Sequence, residues 1–305
     1  MPSASEIRKQ VDYENERRQR LSVPAFGGGF LYLLSAIVIT STLNGLPTVG
    51  PLQGLAPALS GEAHPPVSPR TEEVKFISRH AFALIAGSAL AAIAIGILTV
   101  VLLTLLQATV FRRPQTWPGA RIVTLVGGVA VALASVAHEV VYAIETHKFA
   151  VGSDHSTAAV EHALQKGSAN EIVAYLSLLA GLALVVGIIV VMLGALRAGL
   201  VARWLGFLGM FSGLLILLPN TGATLQLIPA FWMVMMGMLF ARRWPGGDPP
   251  AWEAGEARPW PSRAQMRAGL KPATAGAAAG DAAPAPVARA GGGTNRRRRK
   301  RSGRN

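Results

Sequence analysis

The segment from Ala81 to Phe111 contains no charged residue. About 20 apolar residues in a helix are enough to cross the hydrocarbon core of a bilayer. This segment is longer than that, so a helix over it must tilt or protrude. The whole chain is 51% hydrophobic and only 15% charged, whereas soluble domains carry about 25% charged residues. The sequence therefore predicts an all-α fold, a polytopic membrane helix bundle.

Six apolar segments are candidates for membrane spans. We expect the first to be retained rather than cleaved as a signal peptide, because the nearest cleavage-like site, Ala58–Ser60, lies well beyond its end. The last two are short and flank Pro219–Gly222, so a re-entrant hairpin is the alternative to two crossings. The predicted transmembrane domain covers 21–241, with spans at about 24–43, 81–111, 122–144, 172–196, 205–218 and 225–241.

The two flanking regions are polar. Residues 1–20 form a charged segment in which Ser3 and Glu6 have the spacing of a capping box, so a short helix is expected there. Residues 242–305 are rich in Pro, Ala, Gly and charge. Such a composition buries too little apolar surface to offset the loss of conformational entropy, so this tail is predicted to be disordered. Its tryptophans Trp252 and Trp260 are candidate contacts for a cytoplasmic protein partner or for lipid headgroups.

The distribution of basic residues predicts the orientation. With six spans, five Lys and Arg lie in 1–20, three in 112–121, two in 197–203 and fourteen in 242–305, which is 24 of the 29 in the chain. Basic residues accumulate on the cytoplasmic side of membrane proteins. Both termini are therefore expected in the cytoplasm, with the protein in a bacterial cytoplasmic (inner) membrane.

The third predicted span carries the most unusual residues. His138 and Glu139 lie in an otherwise apolar run, and ionisable groups inside spans usually face protein or water. Helical spacing places Glu139 on a stripe of small and weakly polar residues and places His138 over Tyr142. The functional interpretation is an ion or proton site. The structural interpretation is that Glu139 is protonated, or is paired with His80 or a loop base. Candidate binding residues are His138, Glu139, Tyr142, His80 and Glu171.

No cofactor is predicted, although a divalent metal is a possibility. All six histidines are expected on the non-cytoplasmic side or in the outer half of the spans, together with several carboxylates, and this set of ligands suits Zn²⁺. No two of them have a close ligand spacing. A haem held by His80 and His138 is a second alternative. With no cysteine in the chain, thiolate ligands and a cysteine nucleophile are excluded.

Enzymatic patterns fail at specific residues, so the sequence favours a non-enzymatic protein. His138-Glu139 begins an H-E-x-x-H motif, but Tyr142 replaces the second histidine that would hold zinc. Gly209–Gly213 lacks the order of an intramembrane serine protease, and no histidine follows as a base.

The chain ends in a polybasic cluster, Arg296–Arg301. Each basic residue near an anionic leaflet contributes about 1 kcal/mol of attraction. A tail attached to a membrane protein meets lipid before other partners. We therefore expect contact with anionic headgroups through Arg296, Arg297, Arg298, Arg299, Lys300 and Arg301, rather than specific nucleic-acid binding. A solvated tail that only reinforces topology is the alternative.

The stretch Arg197–Gly209 contains R-W-L-G-x-x-G and resembles the linker and span start of uncharacterised multi-span membrane proteins of high-GC bacteria, a family of unknown function. The tail stretch Asp248–Pro261 is similar to theirs as well. This resemblance implies about six helices and no assigned activity. The leading hypothesis is a scaffold or accessory subunit, and the alternative is a small transporter or ion-binding protein that uses Glu139 and His138.

Overall fold

The computed structural model describes residues 3–47, 49–50, 61, 67–218, 222–245 and 247–260, with backbone alone at 165–166 and 222–223. Within this part the chain is all-helical, and the only β-type pairing is an isolated bridge between Val67 and His155. The helices are α1 Ala4–Leu43, α2 Thr71–Arg79, α3 Ala81–Arg112, α4 Ala120–Val151, α5 Thr157–Glu161, α6 Ser168–Ala198, α7 Arg203–Leu217, α8 Gly222–Phe240 and α9 Pro250–Ala254. A π-helical turn, His162–Lys166, lies between α5 and α6.

Four stretches are long and apolar enough to cross a membrane by length and composition: Ala4–Leu43, Ala81–Arg112, Ala120–Val151 and Thr157–Ala198. The predicted class, an all-α chain with membrane-length helices, is confirmed to that extent. α7 and α8 are shorter apolar helices of 15 and 19 residues. At 1.5 Å per residue they are about 22 and 28 Å long, below or near the ~30 Å of a hydrocarbon core.

The first helix is longer than the sequence predicted. The expected charged helix and the first span are one continuous helix, Ala4–Leu43, which includes Pro24. The predicted capping box is confirmed, because the Ser3 hydroxyl accepts from the Glu6 amide and the Glu6 carboxylate accepts from the Ser3 amide. Proline in a helix interior removes a hydrogen bond. The helix nevertheless continues because buried residues on both sides of Pro24, including Arg18 and Ala25, hold it against its neighbours.

Six helices form a closed ring, in which each contacts the next in the order α1, α3, α4, α6, α7, α8 and back to α1. α3 and α6 also contact each other across the ring. The side chains of Leu102, Leu105, Leu184 and Ile188 have no exposed surface. The axis of the bundle is therefore filled with aliphatic side chains.

The connections between the described helices lie at two ends of this bundle. We call one the basic end; it holds the start of α1, the connections 113–119 and 199–202, and residues 241–245 and 247–260. Contacts across it link Arg113 to Arg197, and Trp252 to Leu200. At the opposite end, α2, the last turns of α4, α5 and the π-helical turn enclose a second apolar cluster that includes Val74, Ile77, Phe149 and Val160.

The prediction that disorder begins at Arg242 is wrong for 242–245 and 247–260. Residues 247–260, here named the C-terminal strap, contain α9 and return to the bundle, where Trp252 is buried. Pro249 and Pro250 start α9, since proline is tolerated at the first position of a helix. The rest of the predicted tail, including Arg296–Arg301, lies outside the described residues.

Candidate functional site

The face of α4 that carries Glu139 packs against α3 and α6 in the first half of the helix, nearer the basic end than Glu139. A Cβ on Gly128 would overlap the Thr99 hydroxyl of α3, and a Cβ on Gly187 of α6 would lie 2.7 Å from the Thr124 hydroxyl. Thr124 and Gly128 belong to the same helical stripe as Glu139. Counting back from the contact of Gly128 with Thr99 along the antiparallel helices places Glu139 at about the depth of Ser88.

Glu139 and His138 are both half-buried. Within the described residues, the Glu139 carboxylate has no hydrogen bond and no ion pair. The His138 ring stacks on Tyr142 with 6.0 Å between centroids and 10° between planes, so the predicted contact at this spacing is present. An acidic group without a partner in an apolar helix is costly whenever it is charged. His138, Glu139 and Tyr142 are the residues of the predicted site that lie together in the structure.

The proposed pairing of Glu139 with His80 is wrong. The Nδ1 atom of His80 lies 2.9 Å from the Phe76 carbonyl oxygen, and its ring stacks on Phe76 at 4.1 Å. His80 ends α2 and begins α3, and its backbone N–H donates to the Phe76 and Ile77 carbonyls of the last turn of α2. Glu171 is exposed in the first turn of α6, where an acidic residue interacts favourably with the helix dipole. The structure gives neither residue a contact with the His138–Glu139 pair.

The ion pair of Arg70 and Glu73 lies near Tyr142, at the end of the bundle opposite the basic end. Arg70 donates through Nε and Nη2 to the two oxygens of Glu73, at 2.7 and 2.8 Å. The hydrogen bonds from Arg70 to Glu73 raise the pKa of this guanidinium. Arg70 and Glu73 lie close enough to Tyr142 for both charges to act on its hydroxyl. The candidate site thus has apolar helices on one side and a fixed ion pair on the other.

The structure does not assemble a metal site in the part of the chain that it describes. No group of three His, Asp or Glu side chains in those residues is close enough to hold a metal ion. His155 contacts Phe149 edge-on at 5.1 Å, and Asp154 accepts from the Ser156 amide, which lowers the pKa of Asp154. His64, one of the histidines considered as ligands, lies outside the described residues.

A buried charge cluster at the basic end was not predicted from the sequence. Two guanidinium groups lie over the Trp252 ring, with Arg18 at 4.2 Å and Arg112 at 5.3 Å from its centroid. Arg18 pairs with Asp248 at 2.9 Å, and Arg112 pairs with Glu14 at 2.8 Å. The side chains of both arginines have no exposed surface. We name these five residues the Trp252 clasp.

Backbone contacts complete the clasp. Trp252 donates its indole N–H to the Leu200 carbonyl at 2.9 Å, and Arg112 donates to the Ala251 carbonyl at 2.9 Å. Gly199 ends α6 with φ of +76°, and a Cβ there would overlap the Arg258 carbonyl oxygen. Glycine is required at this position by both its backbone conformation and the close approach of the strap. Trp252 is therefore buried inside the protein and is not available for either of its expected contacts, a cytoplasmic partner or lipid headgroups.

No sequence signal singles out this cluster, because residues 1–20 contain four Asp and Glu beside five Lys and Arg, and residues 242–260 contain three of each kind. The partners of Glu14 and Asp248 are far away in the chain, so local patterns do not identify them. Comparisons with known proteins add no further assignment: no protein-family model, no curated protein and no solved structure matches this chain.

Proposed function

We propose that this protein is a non-enzymatic scaffold or accessory subunit of a bacterial inner membrane, with six crossings and both termini in the cytoplasm. The observation that supports this role best is the filled axis of the helix ring, where Leu102, Leu105, Leu184 and Ile188 have no exposed surface. A transport pathway requires polar or water-accessible positions through the bundle. The orientation is supported by the clustering of basic residues at one end.

The outer surface of the bundle fits a role in assembly. α4 is the least covered of the long helices, with only 22% of its apolar window buried inside the protein. Between α4 and α6 lies an apolar groove of about 470 Å³, lined by small residues such as Ala130, Ala134 and Ala183. Small residues permit close approach of another helix in a membrane. The groove is thus compatible with contact to a further membrane helix or to lipid.

A small transporter or ion-binding protein is the second candidate, and one observation favours it. Glu139 is half-buried in α4 without an ion pair or hydrogen bond in the described residues, next to the imidazole of His138. Ionisable groups of this kind often mark ion or proton pathways. The scaffold role and the ion-binding role predict different effects of removing the Glu139 carboxylate and the His138 imidazole.

Thermal unfolding of the purified protein in detergent distinguishes them. A ligand that binds only the folded state raises its stability by mass action. The wild type and the variant Glu139→Gln/His138→Ala are heated over a range of pH and with a panel of divalent metals. The scaffold role predicts parallel responses of the two proteins to the metals. A metal-dependent shift that the double variant abolishes would contradict it and support ion binding, whereas a pH-dependent difference alone is expected in either role because Glu139 is half-buried.

A flux assay in proteoliposomes provides the second readout. Glu139→Gln in a transporter removes ion or proton flux while the protein still assembles, whereas a scaffold shows no flux above empty vesicles in either form. The control variant is Glu171→Gln, which removes an exposed carboxylate from the same end of the bundle.

A further inference from the structure

Three arginines from separate parts of the chain converge at the end of α6. The Arg113 guanidinium donates to the Arg197 carbonyl at 3.4 Å, and the Arg258 amide donates to the Ala198 carbonyl at 3.3 Å. Arg113 follows α3, Arg197 lies in the last turn of α6, and Arg258 belongs to the C-terminal strap. The strap therefore completes a cluster that neither helix provides alone.

These arginines differ from those of the Trp252 clasp in having no carboxylate partner. Within the described residues, Arg113, Arg197 and Arg258 form no ion pair, and the last two are exposed. Glu256 is exposed two positions before Arg258 and forms no ion pair with any of them. Contacts of the Arg113 guanidinium and of the Arg197 and Arg258 backbones bring the three residues to one helix end. Three cations without carboxylate partners at that end attract an anion.

The negative end of the α6 dipole does not cancel this attraction. The last carbonyls of a helix carry partial negative charge and repel anions. Here the Arg197 and Ala198 carbonyls already accept from Arg113 and Arg258, and the Gly199 amide caps Leu196 at 3.1 Å. With those carbonyls satisfied, the arginines dominate the local charge.

A cluster of three tryptophans beside these arginines indicates at what depth in the membrane an anion would bind. Trp204 stacks on Trp244 at 5.6 Å, and Trp244 contacts Trp260 edge-on at 6.2 Å. Trp204 is 47% exposed. Tryptophan at the end of a membrane helix lies at the level of the lipid headgroups. Trp260 is only two residues from Arg258, so the aromatic cluster and the arginine cluster are adjacent.

We propose that Arg113, Arg197 and Arg258 hold the phosphate of an anionic phospholipid in the leaflet at the basic end. The planar guanidinium presents two parallel donors that match phosphate oxygens. Trp204 contacts the interfacial region of the same lipid, and its acyl chains lie along the exposed Leu193 and Phe207. This site belongs to the folded bundle and is separate from the polybasic cluster Arg296–Arg301. It requires membrane insertion and is independent of whether the protein is a scaffold or a transporter.

Native mass spectrometry of the full chain, taken from mixed micelles of phosphatidylglycerol and phosphatidylcholine, tests the proposal. We expect the wild type to retain phosphatidylglycerol selectively. The variant Arg113→Gln/Arg197→Gln/Arg258→Gln is expected to lose at least about tenfold in apparent affinity, because each basic residue near the headgroups contributes to the attraction. The matched control Arg8→Gln/Lys9→Gln/Arg20→Gln removes the same charge from exposed positions on α1 and should change retention less than about twofold.

Two further variants make the result decisive. Replacing residues 296–301 by Gln in the full chain removes the separate attraction of the tail, and the Arg113→Gln/Arg197→Gln/Arg258→Gln change should still cost about tenfold in that background. Arg113→Lys/Arg197→Lys/Arg258→Lys, which keeps the charge, should weaken retention without loss of the fold. Equal retention by the wild type and both arginine-cluster variants would overturn the site. An equal loss in the α1 control, or no further loss from the arginine-cluster change once the tail is neutral, would show general charge attraction instead. If inorganic phosphate displaces the lipid and stabilises the protein equally, the ligand is a free anion and the lipid assignment is wrong.

Discussion

Arg112 shows how one side chain connects three parts of this chain. It lies at the end of α3, pairs with Glu14 of α1 through Nη1 at 3.0 Å and Nη2 at 2.8 Å, and donates to the strap carbonyl of Ala251. The side chains of Arg112 and Glu14 are 0% and 5% exposed. Removing one member of a buried pair leaves an uncompensated charge, which costs more than removing both.

This difference gives a prediction for a double-mutant cycle. Arg112→Gln is expected to destabilise the protein by about 3–5 kcal/mol, since Glu14 is left buried without a cation. Adding Glu14→Gln to the same variant should recover part of that loss. Thermal and denaturant unfolding in detergent measure both effects. An exposed pair, Arg20 with Glu16, is the control and should change stability by less than about 1 kcal/mol. Additive losses in the double variant would contradict the pairing.

At the scale of elements, the C-terminal strap is held chiefly by one aromatic side chain. Trp252 is 1% exposed and contacts Arg18, Arg112 and the carbonyl of Leu200. Truncating a buried tryptophan to alanine costs about 3–5 kcal/mol. Trp252→Ala should therefore release the strap while the helix ring stays folded.

Hydrogen exchange measures this release through the amides of Trp252 and Arg258, which donate to Pro249 and Ala198 in the folded protein. Both amides should exchange faster in Trp252→Ala. Trp117→Ala is the control, because Trp117 is 48% exposed and belongs to a different connection. Unchanged protection of the Arg258 amide would show that the strap does not depend on the clasp.

Glycine makes the packing of α4 against α6 possible at one position. A Cβ on Gly127 would lie 2.5 Å from the Leu184 backbone nitrogen, so the two helices approach to backbone contact there. Gly127→Ala should force them apart and lower the unfolding temperature in detergent. A Cβ on Gly96 of α3 would have open space around it, with no neighbouring atom within 4 Å. Gly96→Ala is thus the matched control, and it should be neutral or stabilise by up to about 1 kcal/mol. A similar loss in both variants would contradict the close approach.

Hydropathy and helical periodicity predicted most of these elements, because the requirement to bury apolar helices in lipid acts locally. The same local evidence missed the strap. The Pro- and Gly-rich composition around Asp248 is typical of disorder, yet Arg18 lies 230 positions away in the chain and pairs with it. Local evidence also predicted α1 as two separate segments, because the burial of Arg18 and Glu14 depends on α3 and the strap. Contacts of this kind arise from tertiary structure and have no periodic signal.

At the scale of the whole molecule, the two short apolar helices, α7 and α8, decide how many times the chain crosses the membrane. Leu217, the last residue of α7, contacts Gly181 of α6. From there α6 continues to Ser168, roughly 20 Å farther from the basic end at 1.5 Å per residue. The C-terminal end of α7 therefore lies deeper in the bundle than the start of α6. A short crossing is accommodated by local thinning of the bilayer.

Labelling of single cysteines distinguishes six crossings from a re-entrant hairpin, and the chain has no native cysteine to interfere. Gln115→Cys marks the basic end and Ser153→Cys marks the opposite end, both at exposed positions. In sealed vesicles of known orientation, a membrane-impermeant thiol reagent should label Leu218→Cys from the same side as Ser153→Cys, but more slowly because of its depth. Labelling of Leu218→Cys only from the side of Gln115→Cys, or protection from both sides, would mean that α7 and α8 form a re-entrant hairpin. The protein would then have four crossings, and both termini would still lie on the same side.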